Sequence, residues 1–174
     1  MQPTDLQTPR LKLVPQTRAE LWAMIEAMSP ADKAQLSADW LALFQTSSAA
    51  DPWVHGFRLV HKDSGIVVGT CSFKGPPTDG MVEIAYGVDP DEQSKGYATE
   101  AAEALVAYAS GFSEVRIVRA HTLPGSSASQ RVLRKCGFRH VGELVDPDDG
   151  LVWRFEKAVG ADARPLDVGP ASNA

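Results

Sequence analysis

The chain has 174 residues and a formal net charge of −5, with 44% hydrophobic and 22% charged residues, which fits one soluble globular domain with a single core. No Lys/Arg cluster stands out, which argues against nucleic acid as a partner. No apolar run approaches the roughly 20 residues that span a membrane, and Met1 to Arg10 lacks the basic and apolar regions of a signal peptide, so a cytoplasmic location is the default expectation.

Arg10, Leu11, Lys12 and Leu13 alternate as a half-buried strand does. Thr17 or Gln16 is placed to cap a helix whose stripe is Leu21, Trp22, Ile25 and Met28. Ser29-Pro30 fits the N-cap and first turn of a second helix with Leu36, Trp40, Leu43 and Phe44 on one side. Trp22 and Trp40 therefore read as core, and residues 46–56 as a loop. Phe57 to His61 and Ile66 to Phe73 form a predicted hairpin around Lys62-Asp63-Ser64-Gly65. His55 and His61 read as surface residues of the loop and strand.

Met81 to Val88 is the next predicted strand, with Val82, Ile84, Tyr86 and Val88 on one face and Glu83, Ala85 and Gly87 on the other. A turn carrying Gln93, Ser94, Lys95 and Gly96 leads into a helix over Tyr97 to Ser110. Its face of Ala98, Ala101, Ala102, Leu105 and Ala109 permits close approach to a sheet. Val115 to His121 alternates again, so strand, helix and strand make a crossover. A short helix from Ser129 to Lys135 stops at Gly137. Phe138 to Glu143 and Leu151 to Glu156 read as a last hairpin, and residues 159–174, rich in Pro, Gly, Ala and Asp, as a disordered tail. Cys71 and Cys136 have no metal-ligand spacing and read as buried free thiols, and no metal is expected. The predicted class is α/β of the mixed α+β type: a single domain over 1–158 with a largely antiparallel central sheet flanked by helices and one β-α-β crossover.

The turn before the long helix directs backbone N–H groups at a helix N-terminus, where a phosphate can sit. Gln93-Ser94-Lys95-Gly96-Tyr97-Ala98 resembles the pyrophosphate-binding signature (Gln/Arg-x-x-Gly-x-Gly/Ala) of the GCN5-related N-acetyltransferase (GNAT) family. Thr8-Pro9-Arg10-Leu11-Lys12-Leu13 and Gly96-Tyr97-Ala98-Thr99-Glu100-Ala101 are similar to the branch that acetylates N-terminal amines of ribosomal proteins. Ser126 and Ser129 through Val132-Leu133-Arg134-Lys135-Cys136-Gly137-Phe138 resemble that branch's second CoA-contacting segment, with Ser126 where the family has Asn. The resemblance implies an N-acetyltransferase that uses acetyl-CoA as co-substrate and a primary amine as acceptor, in a ternary complex. It implies cofactor contacts from Val88, Gln93, Ser94, Lys95, Gly96, Tyr97, Ala98, Thr99, Ser126 and Ser129. A catalytically idle acyl-CoA-binding module is the alternative reading, because Leu133 occupies the position at which many relatives carry a proton-donating Tyr. A homodimer is the base-rate expectation.

An alkyl ammonium titrates near about 10.4 and must lose a proton before it attacks a thioester. Glu83, on the strand leading into the turn, where the resemblance implies a catalytic carboxylate, is the first candidate for the base. His121, at the end of the neighbouring strand, is its rival on the ground of its intrinsic pKa. The resemblance gives the Val88 N–H a role in polarising the thioester carbonyl. Ser129 is a candidate donor near the sulfur and equally a candidate helix N-cap. Trp53, in the loop before the second strand, is a candidate wall of the acceptor pocket.

Overall fold

A computed structural model describes residues 6–160; most of the tail expected over 159–174 lies outside the described residues. Eight strands form one sheet in the order β1-β2-β3-β4-β5-β6-β8-β7. They are β1 (Leu6–Gln7), β2 (Leu11–Pro15), β3 (Phe57–His61), β4 (Val67–Phe73), β5 (Met81–Val88), β6 (Ile117–Thr122), β7 (Arg139–Asp146) and β8 (Gly150–Ala158). Every neighbouring pair is antiparallel except β5 and β6. That one parallel pair is joined through helix α5 (Tyr97–Ser110), as the crossover pattern requires. The mixed, mostly antiparallel sheet matches the class read from the sequence.

The N-terminal helical region departs from expectation in two places. The second helix is two, α2 (Pro30–Ala34) and α3 (Ala38–Thr46), because the Ser37 hydroxyl accepts the Trp40 N–H and starts a new helix. The expected loop over 46–56 contains a helical turn, α4 (Pro52–His55). There Asp51 caps Trp53 N–H and Pro52 opens the turn, the same cap-plus-proline logic that holds at Ser29-Pro30. Helix α1 (Arg18–Ala27) begins with a reciprocal capping box between Thr17 and Glu20.

Two apolar clusters hold these layers. The larger joins the sheet to α5, with Phe57, Phe73, Leu105 and Phe155 at its centre. The smaller gathers Leu21, Ile25, Phe44 and Val54 under α1 and α3. Trp22 is not core: it is 51% exposed and lies over Phe44 at 6.3 Å, while Trp40 is half-buried and gives its indole N–H to Val54 O at 3.0 Å. His55 is not a surface residue either. It is buried, its Nδ1 accepting from Asp51 N–H and its Nε2 2.8 Å from Ser47 Oγ, which fixes the turn into β3.

Helix α6 (Ser127–Lys135) ends on Gly137 at φ +86°, with Gly137 N–H on Arg134 O and Phe138 N–H on Leu133 O. This closes a Schellman motif and seats Leu133 against the core. Cys71 and Cys136 are both free and buried.

Candidate active site

The sheet opens between β5 and β6. Their parallel pairing runs from Met81↔Ile117 to Ile84↔Ala120 and stops, although β5 continues to Val88 and β6 to Thr122. On β5, Glu83 O accepts from Lys74 N–H and Asp89 N–H donates to Val68 O, so odd-numbered residues turn their amides toward β4. By alternation, the amides of Tyr86 and Val88 face the opening. The result is a slot through the sheet. Side chains of Val82 and Ile84 point to the helix-covered face, and Glu83 to the opposite face.

On the helix-covered face, the slot leads to the turn before α5. Ser94 at φ +63° and Gly96 at φ +88° curl the backbone after the extended Gln93. Gly96 N-caps α5 without a side-chain hydrogen bond, which leaves the Tyr97, Ala98 and Thr99 N–H groups at the positive end of the helix. Gln93 is used locally, its Nε2–H donating to Val88 O at 3.0 Å and tying the turn to the strand end. Lys95 is paired with Glu92 at 2.8 Å. The Tyr97 ring is buried under the Arg10 guanidinium, 4.7 Å away, so only its backbone faces a ligand. Arg10 is itself held by Glu100, whose carboxylate also accepts from Thr8 Oγ1–H.

Beyond the end of the β5–β6 pairing, α6 starts with Ser126 as N-cap, whose hydroxyl makes no cap bond. Ser129 is therefore not the N-cap. It lies in the first turn, and its Oγ is 3.2 Å from Tyr86 Oη. Thr122, at the end of β6, has a buried Oγ1 with no partner among the described residues. A concave amide run at a helix N-terminus, an open strand edge and an orphaned hydroxyl suit the phosphates and the amide-bearing arm of coenzyme A.

The opposite face carries charge in register. Glu83 stands beside Arg119, Arg119 beside Glu156, and Glu156 beside Arg139 across four strands. Arg119 binds Glu156 through Nε and Nη2 at 2.9 and 2.6 Å. A cleft of about 200 Å³ lies here, lined by Lys74, Gly75, Asp79, Met81, Glu83 and Arg119 among others.

Glu83 and His121 are not alternatives but one hydrogen-bonded unit. His121 Nδ1 is 2.8 Å from Glu83 Oε1, and Arg154 Nε donates to His121 Nε2 at 3.3 Å. An arginine only donates, so Nε2 is the acceptor and Nδ1 carries the proton toward Glu83. Lys74 Nζ is 3.2 Å from the same Oε1. Burial pushes the Glu83 carboxyl up, but the His121 hydrogen bond and the Lys74 charge more than offset this, and it titrates below the ordinary carboxylate value. Glu83 is thus ionised at neutral pH, with Oε2 available to a ligand.

Trp53 does not line this cleft. Its ring packs on Phe73, Phe112 and Tyr108 at 4.7, 5.0 and 5.5 Å, and it reaches the cleft only through its carbonyl, which accepts Gly75 N–H at 3.0 Å. The sequence reading missed Lys74, Arg119, Arg154 and Tyr86. Their roles depend on strand register, and only the one-face grouping of Tyr86 with Val88 hinted at any of them. Among the described residues there is no cluster of potential metal ligands and no helix long and apolar enough to cross a membrane.

The splayed parallel pair thus carries a phosphate-type turn on one face and an ionised carboxylate on the other. The model of the acetyltransferase (GNAT) domain matches residues 3–139, and the chain belongs to that family. It is 34% identical over 89 residues to the uncharacterized N-acetyltransferase YjdG of Bacillus subtilis, a match covering 51% of this chain and 51% of that protein. The chain spans about half the length of the curated relatives it matches. The fold is shared with a ribosomal-protein alanine acetyltransferase from Vibrio fischeri (TM-score 0.67, 15% identity, 94% of this chain and 100% of that one). It is shared also with RimL, a ribosomal alpha-N-protein acetyltransferase, in complex with coenzyme A (TM-score 0.64, 14% identity, 90% and 98%).

Proposed function

We propose that this chain transfers the acetyl group of acetyl-CoA to a primary amine by direct attack in a ternary complex. The observation that carries the reading is the slot itself. It joins a helix-terminal amide run on one face to the Glu83–His121 pair on the other, so that a thioester and an amine can meet across the sheet.

Acetyl-CoA supplies an activated acyl carbon with a thiolate leaving group. The amides of residues 94 to 99 hold its diphosphate, with Ser126 near the connecting arm, and the open edge of β5 pairs with that arm. Glu83 accepts the ammonium proton of the acceptor, directly or through water, and passes it to solvent. His121 orients the carboxylate by its Nδ1–H. With Arg154 on its other nitrogen it is a positioning residue rather than the base. The Val88 N–H donates to the thioester oxygen as negative charge develops there. Ser129 Oγ–H meets the departing sulfur.

The names of the ribosomal-protein acetyltransferases that share the fold make a protein N-terminus the first acceptor to screen, with small amines beside it. The test is thiol release from acetyl-CoA with N-terminal peptides, amino acids and polyamines. Amine-dependent release is expected. Binding of CoA with no release for any amine would favour an idle acyl-CoA-binding module instead.

A further inference from the structure

We propose that the Tyr86 hydroxyl positions the Ser129 hydroxyl as the donor that meets the departing thiolate of CoA, so that Tyr86 is a positioning residue of the transfer. The inference rests on the acetyl-transfer reading and extends it to Tyr86.

Tyr86 stands on β5 two residues past Ile84, where pairing with β6 ends. Its Oη lies 3.2 Å from Ser129 Oγ and 3.4 Å from Ser129 O. The contact therefore ties β5 to the first turn of α6 across the slot, beside the place where the slot closes. The Tyr at the family's donor position is Leu133 here, fully buried in the core and without a proton to give. A phenol has one hydrogen. Ser129 offers that hydrogen two acceptors, its carbonyl and its Oγ, and either hydroxyl can be the donor between Oη and Oγ; in the positioning arrangement Oη–H is given to Oγ and the serine hydrogen is free. Ser129 is not committed to capping, since the N-cap of α6 is Ser126. The ionisable neighbour of this pair is Cys136, whose thiol is pushed up to about 11 by burial and by Glu103 against the opposing charge of Lys157, and so stays neutral over the working range.

As the amide forms, the C–S bond breaks and its electron pair passes to sulfur. Ser129 Oγ–H hydrogen-bonds to that charge. The amide nitrogen releases one proton by way of Glu83 and water, and the thiolate takes one from water, so the exchange balances without permanent loss of a proton from Ser129 or Tyr86.

The test needs no acceptor. Affinities for CoA and for desulfo-CoA, which lacks the thiol, are measured by calorimetry at pH 7 and pH 9.5 on the wild-type chain, Tyr86→Phe and Ser129→Ala. A cysteine-like thiol titrates near about 8.5, so the higher pH presents the thiolate. The wild-type preference for CoA over desulfo-CoA should rise about tenfold between the two pH values, the worth of one hydrogen bond to an ion. Ser129→Ala should abolish the rise and Tyr86→Phe should remove most of it, while desulfo-CoA binds all three alike. A full rise in Tyr86→Phe, or equal loss of both ligands, overturns the proposal while CoA binding survives in the wild type. Failure of the wild-type chain to bind either ligand would overturn the acetyl-transfer reading and this proposal with it.

Discussion

Replacing Glu83 by Gln removes one charge and little else. The amide oxygen still accepts His121 Nδ1–H in the position of Oε1, 2.8 Å away. The Lys74 partner is about half exposed, at 48%, so loss of that ion pair costs less than about 1 kcal/mol in folding stability. What Gln cannot do is take a proton from an ammonium. Loss of a general base lowers turnover by roughly 100-fold or more, equivalent to about 2.7 kcal/mol in the barrier. The assay pairs thiol release, under saturating acetyl-CoA and the best amine found, with calorimetric affinity for CoA. The expected variant binds CoA within about twofold of wild type and turns over at the lower rate. His121→Ala, which loses the orienting bond to Glu83 together with the Arg154 contact, is expected to fall by about tenfold. An unchanged turnover in Glu83→Gln would refute the assignment of the base, and a greater loss in His121→Ala than in Glu83→Gln would reverse the roles within the pair.

Gly96→Val places a β-branched side chain at φ +88°, with the Arg10 Nη2 only 3.0 Å from the new Cβ; backbone strain of about 1–2 kcal/mol and a distorted amide run should abolish CoA binding by calorimetry. Phe44→Ala empties the centre of the smaller core, where Phe44 is 1% exposed and Trp40 stacks on it at 5.2 Å; urea unfolding should show a loss of about 3–5 kcal/mol. Glu100 is buried, which alone would raise its pKa, but the Thr8 and Arg10 hydrogen bonds win and hold it below the ordinary glutamate value. A depressed carboxylate stabilises the fold above its unfolded pKa and loses that contribution as pH falls toward its lower folded value. This contribution should therefore be lost from the wild type as pH falls through the acid range, and Glu100→Gln, less stable at neutral pH, should show a flatter acid limb by circular dichroism.

Local signals in the sequence carried most of the architecture. The alternation of Val82, Ile84 and Val88, the small-residue face of Ala101, Ala102 and Ala109, and the Gly137 stop each depend on neighbours a few residues away, and each stands as read. Ser37 and Asp51 obey the same capping chemistry as Thr17 and Ser29, so the breaks they cause were legible in principle; the apolar stripe from Leu36 to Phe44 concealed the first. Trp22 shows the limit of periodicity, because helical spacing says which side chains share a face but not how much of the face the protein covers. The site was legible only in part. Glu83 and His121 stand out in the sequence only as separate candidates, because their union depends on the parallel register Glu83↔Arg119 between segments about forty residues apart in sequence, as does the place of Arg119 in the cleft. The Tyr86–Ser129 contact likewise requires the crossover to be folded before it exists.

The most direct test of an acetyl-CoA site in this slot is thermal unfolding with acetyl-CoA, CoA, ATP and NAD in parallel. A ligand at about 100 times its dissociation constant adds about 2.7 kcal/mol. A clear rise in the midpoint with acetyl-CoA and CoA, and none with ATP or NAD, is the expected result. No rise with either CoA species, or an equal rise with all four, would contradict the account.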